Sequence, residues 1–515
     1  MNTEIIRRYG ESRLPRYTSY PTAPRFSPSI GAGTYRDWLA NIPKSEPVSL
    51  YLHVPFCRSM CWYCGCHTTI TQKDAPILDY LTVLKEEIRL VAKAIGRRQD
   101  VSDIHFGGGT PTIMTPEEFL DLTTTLTAAF GIGGATELAV EIDPRTLSPE
   151  MSEALGEAGM TRASLGVQSF DPKVQKAINR IQSAEQTATA LSNLRRAGAR
   201  SVNFDLIYGL PHQTVDSAIE TARVAAAMRP ERFAVFGYAH VPAFKKHQRL
   251  IDTAALGDAH DRHAQAEAIA ATLCEAGYRR IGLDHFALPE DQLSIAADHR
   301  ALHRNFQGYT TDTASTLIGF GSSAIGRLAE GYAQNDVAIG RYASLISSGN
   351  FATSKCYRLT QEDRVRAWII ERLMCDFQVD FTAKPDGFEL PEGSFGKANL
   401  LLKTLSDEGI VTWRGDVLSV DTKHRFLVRT VASFFDAYLG ETVEPELFRL
   451  MGQAGYGGEP ERVARALRLV AEGVWMDLVT MARPYSREEG LATVHCAAAA
   501  FFPSHFHAQG LIGPA

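Results

Sequence analysis

Four cysteines lie within ten residues of one another, and they are the side chains of this chain best suited to bind a metal: Cys57, Cys61, Cys64 and Cys66. The first three have the spacing C-x3-C-x2-C, which places three thiolates on one tight loop. Thiolates in proteins hold zinc and iron–sulfur clusters. Three thiolates from one loop suit an iron–sulfur cluster with one iron left open, because an open iron can bind a further ligand as an open zinc site binds water. The spacing therefore predicts a cluster site at these three residues.

A zinc site made by all four of these cysteines is the alternative. Structural zinc usually takes its ligands as two groups some distance apart, and the sequence has no second group. Only one residue separates Cys64 from Cys66, which is short for two ligands of one tetrahedral ion. The spacing favours the iron–sulfur cluster and leaves four cysteines as buried or free thiols: Cys274, Cys356, Cys375 and Cys496.

The composition is that of a globular protein, and 515 residues predict about three domains of roughly 150 residues. Apolar residues make up 45% of the chain, which is enough for a large core. A net charge of −6 argues against a nucleic-acid-binding surface. The N-terminus lacks the apolar segment of a signal peptide, and no uncharged apolar run approaches the ~20 residues of a membrane span. We therefore expect a cytoplasmic protein with neither nucleic acid nor a membrane as partner.

Short β-branched or aromatic runs alternate with longer stretches of helical period between about residues 47 and 288. Seven strands with helical crossovers predict an α/β fold with a mostly parallel sheet and helices outside it. Six or more such units predict a full or partial (β/α) barrel. The seven runs are SLYLHV (49–54), SDIHFGGG (102–109), ELAVEID (137–143), RASLGVQSF (162–170), SVNFDLIYGLP (201–211), ERFAVFGYAHV (231–241) and YRRIGLDHF (278–286).

The carboxyl ends of these predicted strands carry most of the candidate site residues. In barrels of this kind the chemistry lies at that rim. Glu141 and Asp205 are charged residues in apolar runs, and a buried carboxylate is costly unless it is paired. Gly108 and Gly109 let a ligand approach the backbone closely, and Thr110 helps to fix the turn after them. The sequence therefore predicts one site that combines the cysteine loop with the GGGTP loop (107–111), Glu141, Gln168, Asp205 and Ala239.

Helix signals lie between the strand runs. Apolar residues recur at steps of three and four over residues 77–95, and Pro76 suits the first turn of that helix. Thr115 and Glu118 predict a capping box at the start of the next helix. Both signals support the alternation of strands with helices that a barrel needs.

From Thr360 onward the pattern changes. Thr360 and Asp363 predict a capping box that begins an amphipathic helix through about Cys375. Residues 401–439 then read as helix, short strand, turn, short strand and helix, which is a winged-helix-like order. Winged helices often bind DNA, but the acidic net charge favours a packing module here.

These motifs resemble the radical S-adenosylmethionine (SAM) superfamily and, within it, the oxygen-independent coproporphyrinogen III oxidases. The resemblance covers about residues 5–440. A sister family of haem chaperones on the same scaffold is the alternative function. Cys66 and the stretch RNFQGY (304–309) favour the oxidases, because the chaperones typically have an aromatic residue and an HN-x-x-YW signature in these places. The matching stretches are PRYTSYPTA (15–23), YLHVPFCRSMCWYCGC (51–66), HFGGGTPT (105–112), EIDPR (141–145), LGVQSF (165–170), NFDLIYGLP (203–211), FGYAHVP (236–242), GLDHFA (282–287) and LHRNFQGYTT (302–311).

The resemblance implies an activity and its cofactors. It implies a 4Fe–4S cluster on Cys57, Cys61 and Cys64 and two molecules of SAM, one of them bound to the open iron. The expected reaction is the oxidative decarboxylation of the ring A and ring B propionates of coproporphyrinogen III to vinyl groups, by a 5′-deoxyadenosyl radical. We expect a small electron-transfer protein as the reductant and a monomeric enzyme. The chaperone alternative would bind haem without turnover.

The resemblance also implies roles for individual residues. Gln168 and Arg180 match residues that bind SAM in the family, as do the glycine loop, Glu141 and Asp205. Tyr51 and Tyr63 flank the cluster, and Tyr51 and Cys66 are the residues we expect to take part in catalysis. The second SAM is expected beside Cys66, Ile207, Ala239, Gln307 and Ile325.

A substrate with four propionates requires a basic patch. The candidates are Arg16, Arg25, Lys245, Lys246, Arg249 and Arg304, and the run 245–249 is typical of a solvated surface loop.

The expected domains are an N-terminal lid segment (1–46), the barrel (47–355), the winged-helix-like module (356–440) and an appended helical segment (441–515). The last of these weakly resembles the C-terminal helices of tetracycline-repressor-type regulators. We expect truncation after Gly440 to leave activity intact.

Overall fold

The computed structural model describes residues 5, 9, 14–385, 387–388, 396–439, 506–507 and 510–511. Backbone contacts divide the chain into two compact units, Met1–Phe435 and Asp436–Ala515. The candidate site lies in the first unit. The described part of the second unit includes a two-stranded hairpin. The expected tail (441–515) otherwise lies outside the described residues, and the predicted domain boundaries stay predictions.

The strands and helices of the first unit follow one another along the chain as follows. The strands are β1 (Val48–Val54), β2 (Phe56–Cys57), β3 (Thr69–Ile70), β4 (Val101–Gly108), β5 (Glu137–Ile142), β6 (Arg162–Gln168), β7 (Ser201–Tyr208), β8 (Arg232–Gly237), β9 (Arg279–Ile281), β10 (His285–Ala287), β11 (His303–Asn305), β12 (Gly308–Thr310), β13 (Thr316–Phe320), β14 (Ile325–Leu328), β15 (Gly331–Asn335), β16 (Thr353–Arg358), β17 (Gln378–Asp380), β18 (Val411–Arg414) and β19 (Val417–Val420). The helices are α1 (Ala32–Ala40), α2 (Ala75–Ile95), α3 (Pro116–Ala129), α4 (Pro149–Glu157), α5 (Pro172–Ala177), α6 (Ala184–Arg196), α7 (Val215–Ala227), α8 (Ala259–Glu275), α9 (Gln292–Asp298), α10 (Ile339–Ser347), α11 (Gln361–Asp376), α12 (Gly396–Asp407) and α13 (Val428–Ser433). None of the described helices has the length and apolar character needed to cross a bilayer.

Twelve of the strands form one open sheet in the order β16-β15-β14-β13-β1-β4-β5-β6-β7-β8-β10-β9. The seven strands from β13 to β8 are parallel, and the strands at either end of the order pair antiparallel. Between β1 and β8 the strands are adjacent in chain order and helices connect them. The ends of the order do not pair in the described chain, so the barrel is partial, and the expected mostly parallel α/β fold is confirmed.

The seventh predicted strand run forms a different structure. Residues 278–286 make the antiparallel hairpin of β9 and β10, with Gly282 between them at φ +56°. A left-handed residue in that place ends one strand and turns the chain back. The seventh parallel strand is β13, which pairs with the other side of β1.

Alternation along the parallel strands divides their side chains between two faces. Leu50, Leu52 and Val54 of β1 are fully buried in the core that also contains the apolar face of α2. Their neighbours Ser49, Tyr51 and His53 lie on the opposite face, where hydrogen bonds join polar side chains within β1 and between neighbouring strands. The sheet therefore separates an apolar layer under the helices from a polar interior.

The predicted helix signals are confirmed. The residues at steps of three and four along α2 are buried: Ile77, Leu81, Leu84, Ile88, Val91 and Ile95. Capping boxes begin α3 at Thr115 and Glu118 and α11 at Thr360 and Asp363. The chain then follows α12, β18, β19 and α13, which matches the winged-helix-like order.

The N-terminal segment is attached to the edge of the sheet. Ser27 and Cys356 of β16 exchange backbone hydrogen bonds of 2.9 and 3.0 Å. The ring of Phe26 stacks on Tyr332 at 5.3 Å. Closure of this segment over a ligand stays a prediction.

Glu87 on α2 is a buried carboxyl in the core, only 2% exposed. It accepts hydrogen bonds from the Gly321 N–H, the Tyr342 hydroxyl and the Asn335 amide, at 2.6 to 2.7 Å. Burial raises the pKa of Glu87 to about 7, against the opposing effect of these hydrogen bonds. In the unfolded chain this carboxyl titrates near its ordinary value of 4.5.

Glu87 is expected to make the protein less stable as the pH rises from about 4.5 to about 7. Between these two pKa values Glu87 is protonated in the folded state and ionised in the unfolded chain. Its contribution to the free energy of unfolding is therefore complete below the pKa of the unfolded chain and is lost above the pKa of the folded state. The loss amounts to about 3 kcal/mol of unfolding free energy. Chemical denaturation at pH 5 and pH 7.5 should show this fall in the wild type and a smaller fall in Glu87→Gln. An equal fall in both proteins would contradict the assignment.

Candidate active site

The cysteine loop begins directly after β1, at the carboxyl end of the sheet. Cys57 lies on β2, which pairs with β3 on the far side of the loop. Backbone groups of the loop are bound by the surrounding structure: the Trp62 N–H donates to Ile178 O at 2.9 Å, and Gln248 donates to Tyr63 O at 3.0 Å. These contacts fix the loop on the predicted rim.

The thiols of the loop differ in their surroundings. Cys61 is buried, Cys57 and Cys64 are partly buried, and Cys66 is exposed. Burial raises the pKa of Cys57 to about 11, although the Thr110 hydroxyl lies 3.3 Å from its sulfur. A hydrogen bond with Cys66 lowers the pKa of Cys64 to about 6. A bound iron would favour the thiolate at each position it occupied.

Cys57, Cys61 and Cys64 bring three thiols together at this rim. Cys64 and Cys61 lie close enough to Cys57 to raise the pKa of its thiol further. In a 4Fe–4S cluster held by three cysteines each thiolate binds a different iron, so the donors suit the predicted cluster in number and type. The choice between this cluster and the zinc alternative stays a prediction.

Asp143 and Arg145 form a partly buried ion pair beside the cluster loop that the sequence interpretation missed. Arg145 Nη2 lies 2.6 Å from Asp143 Oδ2, and both Nη atoms of Arg180 lie 3.2 Å from the same carboxylate. Arg145 and Arg180 also point to the sulfur of Cys61, at 3.7 and 3.5 Å. Burial would raise the pKa of Asp143, but the two guanidinium groups outweigh it and hold that pKa below its ordinary value. The sequence feature that could have revealed this pair is the motif EIDPR (141–145), in which Asp143 and Arg145 come directly after a strand.

The glycine loop packs against β1 and β2 too closely for side chains. The Gly109 N–H donates to Val54 O at 2.8 Å. A Cβ on Gly109 would lie 2.5 Å from Phe56 O, and one on Gly107 would lie 2.9 Å from Glu141 Oε1. Gly108 has φ +116°, a left-handed conformation that favours glycine. The close approach seen here is to neighbouring strands of the protein itself, and the approach of a ligand to Gly108 and Gly109 stays a prediction.

Alanine at Gly109 is expected to displace the strand that carries Cys57, because the clash is with backbone atoms of Phe56. We expect a loss of about 1–3 kcal/mol of stability and reduced iron content after reconstitution. Gly134→Ala is the control, since no atom lies within 4 Å of a Cβ there. Iron content and thermal unfolding of the two variants are the measurements. A Gly109→Ala protein with normal iron content would contradict the argument.

Glu141 lies at the end of β5 and is held ionised. His105 Nε2 lies 3.2 Å from Oε1, and the Gly108 N–H donates to Oε2 at 3.1 Å. Burial would raise the pKa of this carboxyl, but the contacts with His105 and Gly108 lower it overall. An ionised carboxylate on this rim can bind an amino group.

Asp205 on β7 is a second carboxyl of the same interior. It accepts hydrogen bonds from Asn203 at 2.7 Å and from Ser164 at 3.2 Å. Burial, and then the charge of Glu141, raise the pKa of Asp205 to about 7. Glu141 and Asp205 therefore interact across the strand ends, as the sequence predicted by placing them on one rim.

Three polar atoms near these carboxylates are buried without a hydrogen-bond partner in the described structure. They are Gln168 Oε1, Asn203 Oδ1 and Arg180 Nε. Gln168 also has φ +68°, at the carboxyl end of β6. Buried polar atoms are normally paired, so this set fits a polar ligand bound between β6 and β7.

The two predicted tyrosines have different environments. The Tyr51 hydroxyl lies 2.9 Å from His53 Nδ1, and burial lowers the pKa of His53 to about 4. Tyr51 therefore donates to a neutral imidazole whose other nitrogen contacts His67 O at 3.1 Å. Tyr63 packs instead on the apolar cluster that contains Ile178 and is near the charge of Arg180.

The residues expected beside a second SAM are not joined in one network. Ile207 and Ala239 lie at the carboxyl ends of β7 and just after β8, and their carbonyls accept from Gln213 and Gln248. Gln307 lies in the turn between β11 and β12, and Ile325 begins β14. No hydrogen bond in the described structure links these two residues to the others, so their shared site stays a prediction.

Comparisons with known proteins extend these observations. The model of the Radical SAM superfamily matches residues 51–225. A protein of Bradyrhizobium diazoefficiens named oxygen-independent coproporphyrinogen III oxidase is 57% identical over 441 residues, which cover 85% of this chain and 98% of the relative. A protein of the same name from Paracoccus denitrificans is 41% identical over 83% of this chain and 95% of its own. The solved structure of coproporphyrinogen III oxidase (HemN) from Escherichia coli, described as a radical SAM enzyme, matches with a TM-score of 0.78 at 37% identity, over 82% of this chain and 97% of that chain.

Proposed function

The chain belongs to the oxygen-independent coproporphyrinogen III oxidases of the radical SAM superfamily, and from that membership we propose that it converts coproporphyrinogen III to protoporphyrinogen IX. The reaction removes the carboxyl groups of the ring A and ring B propionates as CO2 and leaves vinyl groups. The observation that carries the proposal is a match over nearly the whole length of a relative, combined with a C-x3-C-x2-C loop at the carboxyl end of β1.

Cys57, Cys61 and Cys64 would hold the 4Fe–4S cluster, one thiolate to each of three irons. When bound, the cluster and SAM supply the 5′-deoxyadenosyl radical that takes a hydrogen atom from a propionate side chain. The cysteine loop, the Asp143 network and the glycine loop enclose this position on several sides. Their contribution is to orient the reactants and to exclude water.

The residues on the rim divide the recognition of SAM between them. The ionised carboxylate of Glu141 suits the amino group, and the free Nε of Arg180 suits the carboxylate. Gly108 and Gly109 let their loop pack closely against β1 and β2, which places Thr110 next to Cys57. The buried amide of Gln168 and the carboxyl of Asp205 would bind the remaining polar groups of SAM.

A second SAM beside Cys66, Ile207, Ala239, Gln307 and Ile325 is part of this proposal. Two observations support this second site. Cys66 is exposed, and the carbonyls of Ile207 and Ala239 lie at or just after the carboxyl ends of the adjacent strands β7 and β8. Tyr51 and Cys66 are proposed to act on the reacting groups, with Tyr51 held by His53.

A small electron-transfer protein would supply the electron, and the enzyme would act as a monomer. The reductant can be replaced by a chemical one in the test below, so the activity and the partner are separate questions.

Anaerobic reconstitution with iron and sulfide, followed by SAM, a chemical reductant and coproporphyrinogen III, tests the function. We expect protoporphyrinogen IX with two 5′-deoxyadenosine per product. Cys61→Ala, treated identically, is the matched control for product formed without the cluster. Stoichiometric haem binding without turnover by the wild type would overturn the proposal in favour of the chaperone.

A further inference from the structure

Three arginines from distant parts of the chain lie around one carboxylate near the rim. They are Arg16 in the N-terminal segment, Arg304 on β11 and Arg429 on α13. Arg304 Nη1 lies 3.9 Å from Asp284 Oδ1, and Arg304 donates to the backbone oxygen of Arg16. Arg429 lies within electrostatic range of Arg16, Arg304 and Asp284. Arg304 therefore pairs with Asp284, and Arg16 and Arg429 lie within electrostatic range of the same carboxylate.

Several guanidinium nitrogens of this cluster lack a hydrogen-bond acceptor, although the Arg304 guanidinium lies 4.5 Å over the ring of Tyr309. Arg304 Nε, Arg304 Nη1 and Arg429 Nε are buried without a hydrogen-bond partner in the described structure. The side chain of Arg304 is only 5% exposed. The carboxylate of Asp284 also lies 2.8 Å from His285 Nδ1, so it is shared with that ring. Buried donors without partners are costly, and an anionic ligand would supply the missing acceptors.

The side chains of the cluster carry more positive than negative charge, which also favours an anionic ligand. Burial lowers the pKa of Arg429, and Arg16 and Arg304 act in that direction, while Tyr208 and Asp284 oppose it. The charges of Arg304 and Arg16 help to hold the pKa of Asp284 at about 2, together with His285, against the effect of burial. Among these four side chains three guanidinium groups act with one carboxylate, so positive charge is in excess.

The cluster lies on the same rim as the cysteine loop. The guanidinium of Arg16 lies 5.9 Å from the ring of Phe236, near the carboxyl end of β8. Tyr208, which interacts with Arg429, ends β7 and directly follows Ile207. The backbone oxygen of Asp284 accepts a hydrogen bond from the Val235 N–H of β8 at 2.7 Å. A ligand held by the arginines would therefore extend over the strand ends.

One of the other basic candidates, Lys245, has a different task, which it shares with the nearby His247. Lys245 Nζ donates to Cys66 O at 2.8 Å, and His247 Nε2 lies 2.8 Å from Cys64 O. These side chains hold the cysteine loop and are occupied by its carbonyls. Arg249, at the end of the same run, is exposed.

We propose that Arg16, Arg304 and Arg429 bind propionate carboxylates of the tetrapyrrole substrate, and this inference rests on the proposed function. A guanidinium matches a carboxylate with two parallel hydrogen bonds, which a lysine cannot provide. Arg429 belongs to the winged-helix-like module, so that module contributes directly to substrate binding. Holding the side arms that do not react orients the macrocycle relative to the cluster.

The test measures binding of coproporphyrin III, the oxidised macrocycle with the same four propionates, to the reconstituted full chain by fluorescence quenching. Arg304→Gln and Arg429→Gln are each expected to raise the Kd about 10- to 100-fold. The KM for coproporphyrinogen III should rise similarly, and SAM binding should stay unchanged. Arg223→Gln, in an exposed pair with Glu220, is the matched control. The tetramethyl ester of coproporphyrin III should bind wild type and variants alike.

The outcomes separate this inference from the proposed function. A wild type that neither binds the porphyrin nor forms protoporphyrinogen IX overturns the function. A wild type that does both, with Kd values for Arg304→Gln and Arg429→Gln within about threefold of it, overturns the arginine site. If the buried variants fail to fold, Arg16→Gln decides, because Arg16 is exposed and its replacement spares the core. Unchanged affinity in Arg16→Gln would then overturn the site, and weakened affinity would support it.

Discussion

Alanine at Cys57, Cys61 or Cys64 is expected to reduce product formation to background. Each of the three thiolates would bind a different iron of the cluster, so a variant that lacks one of them leaves an iron without its protein ligand. Cys61 is the most sensitive of the three, because Arg145 and Arg180 are directed at its sulfur. Iron and sulfide content, the visible absorption of the cluster and 5′-deoxyadenosine release are the measurements.

Cys66→Ala and Cys274→Ala are the matched controls for this prediction. Cys66 lies two residues after Cys64, and its alanine variant should keep the cluster while forming less product. Cys274 is exposed on α8, away from the loop, and its variant should behave as the wild type. A Cys66→Ala protein without a cluster would show that Cys66 is a ligand and would overturn the assignment of the three.

Asn in place of Asp143 is expected to have the largest effect on stability among the polar residues of the site. The change leaves Arg145 and Arg180 without their carboxylate, and no other carboxylate lies within 4 Å of either in the described structure. Breaking a buried ion pair in this way costs about 3–5 kcal/mol of unfolding free energy. Denaturant unfolding of the cluster-free protein measures the loss, and SAM binding after reconstitution should weaken because Arg180 is displaced.

An exposed ion pair gives the matched control for Asp143. Arg279 and Asp298 form a pair with two short hydrogen bonds at the surface, and Asp298→Asn should cost at most about 1 kcal/mol. The double variant Asp143→Asn/Arg180→Gln removes one of the stranded charges and should recover part of the stability. Equal losses for Asp143→Asn and Asp298→Asn would contradict the role given to the buried network.

Local patterns in the sequence were sufficient to place most of the candidate site residues at the carboxyl ends of the strands. The C-x3-C-x2-C loop, the glycines after β4 and the carboxylates Glu141 and Asp205 each follow or end a strand run. Parallel strands bring such positions together without any knowledge of distances. Period-three and period-four spacing located α2, and capping boxes located α3 and α11.

Residues that act through partners far away in the chain were harder to find. The charges of EIDPR were visible, but only the fold shows that Asp143 binds Arg180 and that both arginines point to Cys61. The run YRRIGLDHF has strand-like composition, and its division at Gly282 depends on how it meets β8.

The arginine cluster illustrates the same limit over a longer range. Positions 16, 304 and 429 share no local motif, and Arg429 had no signal at all. A composition argument could say that a tetracarboxylate needs positive charge, but not which of many basic residues provide it. Only tertiary packing brings these three together around Asp284.

The pairing of Ser27 with Cys356 has a consequence for self-association. An open sheet leaves two edges, and an edge strand with free backbone groups is a template for pairing with another molecule. At one edge, β9 is only three residues long, so it offers few backbone groups for hydrogen bonds with another molecule. At the other edge the N-terminal segment meets the longer β16 and takes hydrogen bonds that a neighbouring chain would otherwise use. The chain thus shields its own sheet from intermolecular β-pairing.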